Sequence, residues 1–334
     1  MSFDLTRSNL FATTLYSLVL VVVFWGSGSS IVASQTAFVI PTEHYWVSET
    51  LAELIASYAG VCQILSASLV FVCSLMVARL AIRNVLYLER TYMPSLLFVV
   101  ISSAVYVAGK SILPLMVSFL LLRATSLFFK SYTIKHLAAG VYLLAGFYFG
   151  LAAVIYPPSI YLGLMLFAGL GTFRINNIRE WIAASVGFAL AFGLLFYTMW
   201  LADYDVTHQF NLLLAEFNEH DNLGLVWRSF TIIDYTFVGV ISTLFILAYV
   251  VFLRSRPKYK LRGVKAYNYL VFFMLWAVIV MLISPVRTLY LLPVVAVPLS
   301  VLIPTYFASR RSTFLSNFLY ALLLLSAIAI HFVR

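Results

Sequence analysis

Five ionisable side chains lie next to long apolar segments or, for Glu43, some ten residues beyond one, and carry the chemistry needed to act on a phosphate-bearing substrate. Asp203 and Asp205, in "ADYD", directly follow an apolar run, and Glu43 follows another in "PTEHYW". A carboxylate at such a boundary can act as a general base or hold a divalent cation against a phosphate. Lys110, in "YVAGKSILP", and Arg287, after "LISP", can bind the phosphate. We predict the three acids as catalytic residues and the two cations as lipid-phosphate-binding residues.

Each of these side chains also has an ordinary structural explanation. Acids can simply solvate the loops outside a membrane, and Lys110 or Arg287 can anchor helix ends at the bilayer surface. His220 next to Asp221 offers two metal-binding groups, but adjacent residues rarely bind one ion. A divalent cation would fit the acids, but no ligand spacing supports one. We therefore predict no metal and no other cofactor.

The composition places these residues in a membrane protein. Apolar residues make up 63% of the 334 positions and charged residues only 10%, whereas soluble domains carry about 25% charged residues. Apolar runs close to the roughly 20 residues needed to cross a bilayer recur along the whole chain. We predict an all-α, polytopic transmembrane helix bundle that forms a single domain over residues 1–334.

Eleven apolar segments are predicted to span the membrane, with nine or ten as the alternative count. The third, fourth and sixth are short, and the sixth, "SIYLGLMLFAGLGTF", is expected to be broken or re-entrant. The predicted spans cover residues 11–33, 58–82, 92–108, 112–129, 137–156, 159–173, 181–201, 235–253, 267–284, 288–307 and 313–332.

Basic residues accumulate in alternate loops, and this distribution gives the predicted orientation. If the N-terminus is cytoplasmic, most Lys and Arg residues fall in cytoplasmic loops and most acids fall outside. The most basic cytoplasmic loop covers residues 254–266, and the C-terminus is then periplasmic. Extracytoplasmic loops are predicted at 34–57 and 202–234. Each is expected to form a short interfacial helix, because its apolar residues recur at helical spacing.

Residue patterns disfavour several other functions and sites. The basic residues lie in short loops instead of one patch, so no nucleic-acid partner is expected, and no phosphate-binding glycine loop or zinc-protease motif occurs. Cys62 and Cys73 fall in one predicted helix, too far apart to form a disulfide. Arg123, inside the fourth span, is expected to snorkel to the cytoplasmic surface. Gly146 and Gly150 either permit a close helix contact or are four apart by chance.

Three stretches resemble an uncharacterised family of polytopic inner-membrane proteins from Bacteroidetes-type bacteria. They are "RNVLYLERTYMPSLLFVVISS" (83–103), "YPPSIYLGL" (156–164) with "FRINNIREW" (173–181), and "ISPVRTLYLLPVVAVPLSVLIPTYF" (283–307). The resemblance covers most of the chain and implies a multi-pass protein of the bacterial inner membrane, with no assigned activity. Family members often carry an acid in the stretch that matches residues 286–292, which here reads "VRTLYLL".

A weaker, architectural similarity is to the GT-C type of glycosyltransferase, which uses polyprenyl-phosphate sugars. These enzymes have eleven or more spans, a cytoplasmic N-terminus and a first outer loop with an acid and short interfacial helices. Glu43 with "YWVSETLAEL" looks like that arrangement, and the loop at 202–234 resembles the later outer loop. The chain departs from the pattern because no paired acid accompanies Glu43. Such a similarity gives an expectation of function only.

Three functions follow as competing hypotheses. The first is an envelope-biogenesis enzyme that transfers or polymerises a lipid-linked sugar at the outer face, with Glu43 or Asp203 as the base. The second is a transporter or flippase, which should have inverted repeats. The third is a non-catalytic subunit that scaffolds an envelope complex. The sequence leaves open whether the protein is an enzyme. The expected partners are membrane lipids, polyprenyl phosphate among them, and another membrane protein.

Overall fold

The computed structural model describes residues 10–26, 57–87, 91–104, 112–132, 138–173, 178–205, 207–208, 211, 232–283, 291–309 and 314–333, and every regular element in these ranges is helical. Short 3₁₀-helices at Pro157–Gly163 and Arg256–Lys258 lie between α-helices. The α-helices in chain order are α1 (Leu10–Gly26), α2 (Ala59–Arg83), α3 (Met93–Ser103), α4 (Ile112–Ser131), α5 (Ala139–Ile155), α6 (Leu164–Phe173), α7 (Ile178–Leu201), α8 (Ile232–Ser255), α9 (Leu261–Ile283), α10 (Leu292–Leu302), α11 (Pro304–Ser309) and α12 (Phe314–Val333).

Several of these helices are long and apolar enough to cross a membrane. A helix is suited to hydrocarbon because it pairs its own backbone N–H and C=O groups. The all-helical prediction is confirmed for the described residues, and the long helices agree with a membrane protein. The count of about eleven spans and the placement of the termini stay predictions. The five membrane-capable segments are Gly60–Arg83, Ile112–Ser131, Ile178–Leu201, Ile232–Lys258 and Leu261–Leu282.

Two of the predicted spans are not single α-helices. The sixth begins as the 3₁₀-helix Pro157–Gly163 and continues without a gap as α6, and the broken or re-entrant form expected for it stays a prediction. The tenth is divided into α10 and α11 at Ile303, directly before Pro304. Proline has no backbone N–H to bond to the preceding helical turn, and the regular hydrogen-bond pattern therefore breaks at this point.

Two short helices, α3 and α10, lie at the centre of the bundle. Every residue of both helices is buried, and the helices pack against each other and against α2. The Tyr87 hydroxyl, which precedes α3, donates to the Val301 carbonyl near the end of α10 at 2.7 Å. The segment before α3 therefore contacts the end of α10.

Helices α5 and α7 pack with their backbones almost in contact. A Cβ atom on Gly150 would lie 2.6 Å from the Cβ of Ala191, and one on Gly187 would lie 2.8 Å from the carbonyl carbon of Leu143. Gly146 likewise faces the backbone of α7 without room for a side chain. Small residues let membrane helices approach this closely. Of the two explanations left open for Gly146 and Gly150, the structure supports the close helix contact.

Hydrogen bonds bring several helix ends together at one end of the bundle. Arg262, at the start of α9, donates to Asn84 after α2 at 2.6 Å and to the Phe129 carbonyl near the end of α4 at 3.0 Å. Glu180, fully buried at the start of α7, accepts from the Ala138 N–H before α5 at 3.3 Å. These helix ends flank loops that were predicted to be cytoplasmic.

A second buried acid, Asp234, differs from its predicted environment. Helix α8 begins at Ile232, inside the range predicted as the outer loop 202–234, and Asp234 lies in its first turn. The side chain is fully buried instead of solvated, and the N-terminal end of a helix dipole favours its negative charge. The interfacial helices predicted in the two outer loops fall largely outside the described residues.

Candidate functional site

Asp203 lies in the turn that ends α7. Its φ is 58°, its N–H donates to the Trp200 carbonyl at 3.2 Å, and the N–H of Tyr204 donates to the Met199 carbonyl at 3.1 Å. This pair of bonds forms a Schellman motif, and Asp203 occupies the left-handed position that glycine usually takes. Aspartate is among the few other residues that tolerate this conformation. The exposed Asp203 thus helps to end α7, and its catalytic role stays a prediction.

Asp205 also has a local structural role. Its Oδ1 accepts hydrogen bonds from the backbone N–H groups of Thr207 at 2.9 Å and His208 at 3.3 Å. Aspartate often caps a turn in this way. The other predicted site residues, Glu43, Lys110 and Arg287, lie outside the described residues, so their approach to the two aspartates stays a prediction. Within the described ranges, no group of three or more His, Cys, Asp or Glu residues is arranged to hold a metal ion.

A cluster of basic residues lies at the other end of the bundle, in a polar cavity of about 190 Å³ between α2, α4 and α9. Arg79 and Arg83 are four residues apart on α2, and Arg123 and Lys130 are seven apart on α4, so each pair lies on one helix face. We call this cavity the basic pocket. The described residues that line it, none of them an acid, are Met76, Arg79, Leu80, Arg83, Asn84, Leu122, Arg123, Ser126, Lys130 and Arg262.

The chain leaves α2 beside the basic pocket through a second Schellman motif. Val85 adopts the left-handed conformation at a φ of 52°, and the N–H of Leu86 donates to the Ala81 carbonyl at 3.2 Å, which closes the motif. The turn fixes Asn84, whose Oδ1 accepts the short bond from Arg262. The end of α2 thereby holds the start of α9 against one wall of the pocket.

Arg262 joins three helix ends and also lines the basic pocket. One of its amino groups, Nη2, makes both hydrogen bonds, to Asn84 and to the Phe129 carbonyl. Its Nε is enclosed and has no hydrogen-bond partner within the part of the chain that the structure describes. A guanidinium carries five N–H donors, and an enclosed donor without a partner costs about 1–3 kcal/mol. Donors for a ligand rich in oxygen atoms therefore come from the exposed guanidinium groups of Arg79, Arg83 and Arg123, which also line the pocket.

The charge around the basic pocket favours an anion. Cations near a membrane are costly unless they are paired or reach water, and side chains of like charge around one cavity repel each other. An anion that enters the cavity relieves this repulsion and accepts the available N–H groups. Guanidinium groups bind phosphate through two parallel hydrogen bonds, so the four arginines make phosphate the best-matched group.

The sequence indicated the parts of this pocket but not their assembly. Loop charge assigned Arg79, Arg83 and Lys130 to one side of the membrane. The neighbourhood of α2, α4 and α9 depends on contacts between residues 133 and 178 positions apart, and nothing local encodes these. Arg123 was interpreted as a snorkelling residue, and the structure places it in the wall of the pocket.

Comparisons of the chain with protein families, with curated proteins and with solved structures each found no match.

Proposed function

We propose that this protein is a multi-pass protein of the bacterial inner membrane that binds the phosphate group of its ligand in the basic pocket, on the cytoplasmic side. The observation that carries the proposal is the convergence of Arg79, Arg83, Arg123 and Arg262 on one cavity, with no acid among the described residues that line it. The predicted orientation supports the cytoplasmic side, because the helix ends around the pocket adjoin the basic loops.

Binding is tested with two lipids that differ only in the phosphate, dioctanoyl phosphatidic acid and dioctanoylglycerol. We expect the purified full-length protein in neutral detergent to bind the phosphatidic acid and not to bind the diacylglycerol. Arg79→Gln and Arg123→Gln should each weaken binding about tenfold, since one charge-assisted hydrogen bond contributes about 1.5–3 kcal/mol and a factor of ten corresponds to about 1.4 kcal/mol. Both side chains are exposed, so the fold should survive.

Arg254→Gln is the matched control for these variants. Arg254 is exposed at the end of α8 and does not line the basic pocket, and its replacement removes the same charge. It should leave the dissociation constant unchanged. Equal weakening by all three variants would mean that general surface charge attracts the lipid, and the site would be rejected. Equal binding of the two lipids would reject phosphate recognition altogether.

Transfer of a lipid-linked sugar at the outer face is a second proposal, for the opposite end of the bundle. It draws support from the exposure of Asp203 and Asp205 after α7, at the end far from Glu180. The test is complementation of a deletion strain by Glu43→Gln and Asp203→Asn variants, singly and together. Loss of complementation with normal protein levels is expected. Full complementation by the double variant would exclude these residues as the base.

A further inference from the structure

A second cavity adjoins the basic pocket along α2. Its volume is about 520 Å³, and ligand pockets typically measure about 300–1,000 Å³. We call it the apolar groove, because most of its wall is hydrocarbon. The wall is formed by the start of α1, the second half of α2 and the start of α3, with Thr14, Leu75, Ala78 and Tyr92 among its residues.

The two cavities share part of their walls. Arg79 and Arg83, one helical turn apart on α2, line both the apolar groove and the basic pocket. A ligand bound by these two arginines can therefore place an anionic group on one side of them and an apolar group on the other. This arrangement is absent from the groove of about 650 Å³ between α8 and α12, whose lining residues carry no charge.

We infer that the ligand of the basic pocket is an amphiphile, with its phosphate among the arginines and a hydrocarbon chain in the apolar groove. This inference rests on the proposed function and adds the chemical class of the ligand to it. A small soluble phosphate would fill the basic pocket and leave the groove unused. A phosphate-bearing lipid uses both cavities, because its charge is met by Arg79 and Arg83 and its chain by Leu75, Ala78 and Tyr92.

The contribution of the hydrocarbon chain to binding is measured by comparing glycerol 3-phosphate with dioctanoyl phosphatidic acid. Both ligands carry the same phosphate group. We expect the wild-type protein to bind the lipid at least 100-fold more tightly, since burial of hydrocarbon is favourable. Thr14→Phe fills the apolar groove from α1 and should remove most of this difference. It should leave the affinity for glycerol 3-phosphate within about twofold, because Thr14 does not line the basic pocket.

Thr243→Phe is the matched control for Thr14→Phe. Each threonine is in a helix, lines an apolar groove and donates its hydroxyl to a carbonyl of the preceding turn, Thr14 to Phe11 at 2.9 Å and Thr243 to Gly239 at 2.8 Å. Thr243→Phe should change neither affinity. The inference is overturned if Thr14→Phe leaves the preference for the lipid intact, or if both variants reduce it equally.

The proposed function and this inference fail in different ways. In one case, binding requires the phosphate and is weakened by Arg79→Gln and Arg123→Gln, but the hydrocarbon chain adds no affinity. The phosphate site is then supported and the assignment of a lipid is rejected. If the wild-type protein binds dioctanoyl phosphatidic acid and dioctanoylglycerol equally, the phosphate site falls as well.

Discussion

At the scale of single residues, Val85 is the least expected side chain near the basic pocket. It occupies the left-handed position of the Schellman motif after α2, with a φ of 52°. A β-branched residue is strained there, whereas glycine adopts this conformation freely. Strain of this kind persists where the surroundings hold it, and it concentrates at functional sites. Val85 follows Asn84, which binds Arg262, and it lies close to Gly263 on α9. A Cβ atom added to Gly263 would lie 3.3 Å from the Val85 carbonyl oxygen.

Val85→Gly is expected to stabilise the protein. It relieves the strained backbone, and the free energy of unfolding should rise by about 1 kcal/mol. The measurement is the midpoint of thermal unfolding in detergent. Val72→Gly is the control, because Val72 is an exposed residue in the interior of α2, where glycine lowers stability by up to about 1 kcal/mol. A fall in the midpoint for Val85→Gly, equal to that of the control, would contradict the prediction.

At the scale of helices, the contact between α5 and α7 depends on the absence of side chains. Gly187→Ala should lower the free energy of unfolding by about 1–3 kcal/mol, because its methyl group would press on the backbone of Leu143. Gly193→Ala, on the same helix, meets nothing within 4 Å, and alanine favours a helix over glycine. The midpoint of thermal unfolding of the Gly193→Ala variant should therefore equal or exceed that of the wild-type protein. Equal effects of the two variants would contradict the close contact.

The positions of the helices were predictable from the sequence, and their neighbours were not. Long apolar runs dictate helices in hydrocarbon, so each predicted span overlaps an observed helix. The short sixth span was recognisable from its length, but the start of α8 was missed, because Asp234 looks like a loop residue. Its burial depends on tertiary contacts. The basic pocket was missed for the same reason, since pairing of distant helices leaves no local pattern.

At the scale of the whole molecule, charge divides the bundle into two unlike ends. Asp205 follows α7 at one end, and Arg256 lies between α8 and α9 near the other. The positive-inside rule predicts that the second end faces the cytoplasm. In a variant without Cys62 and Cys73, we expect a membrane-impermeant thiol reagent to label Asp205→Cys in intact cells. Arg256→Cys should be labelled only after permeabilisation. The reverse pattern would place the basic pocket outside.

The hydrogen bonds of Arg262 to Asn84 and Phe129 have a consequence for the order in which the helices assemble during synthesis. Asn84 and Arg262 are 178 positions apart, and at about 5–20 residues per second the ribosome needs about 10 to 35 seconds to make the chain between them. Once α4 has been synthesised, the basic residues of α2 and α4 are present for the rest of this interval without the third wall. A nascent chain arrested before α9 should therefore carry a basic cleft that is open to the bilayer, and the arrival of Arg262 would mark the moment at which the site closes.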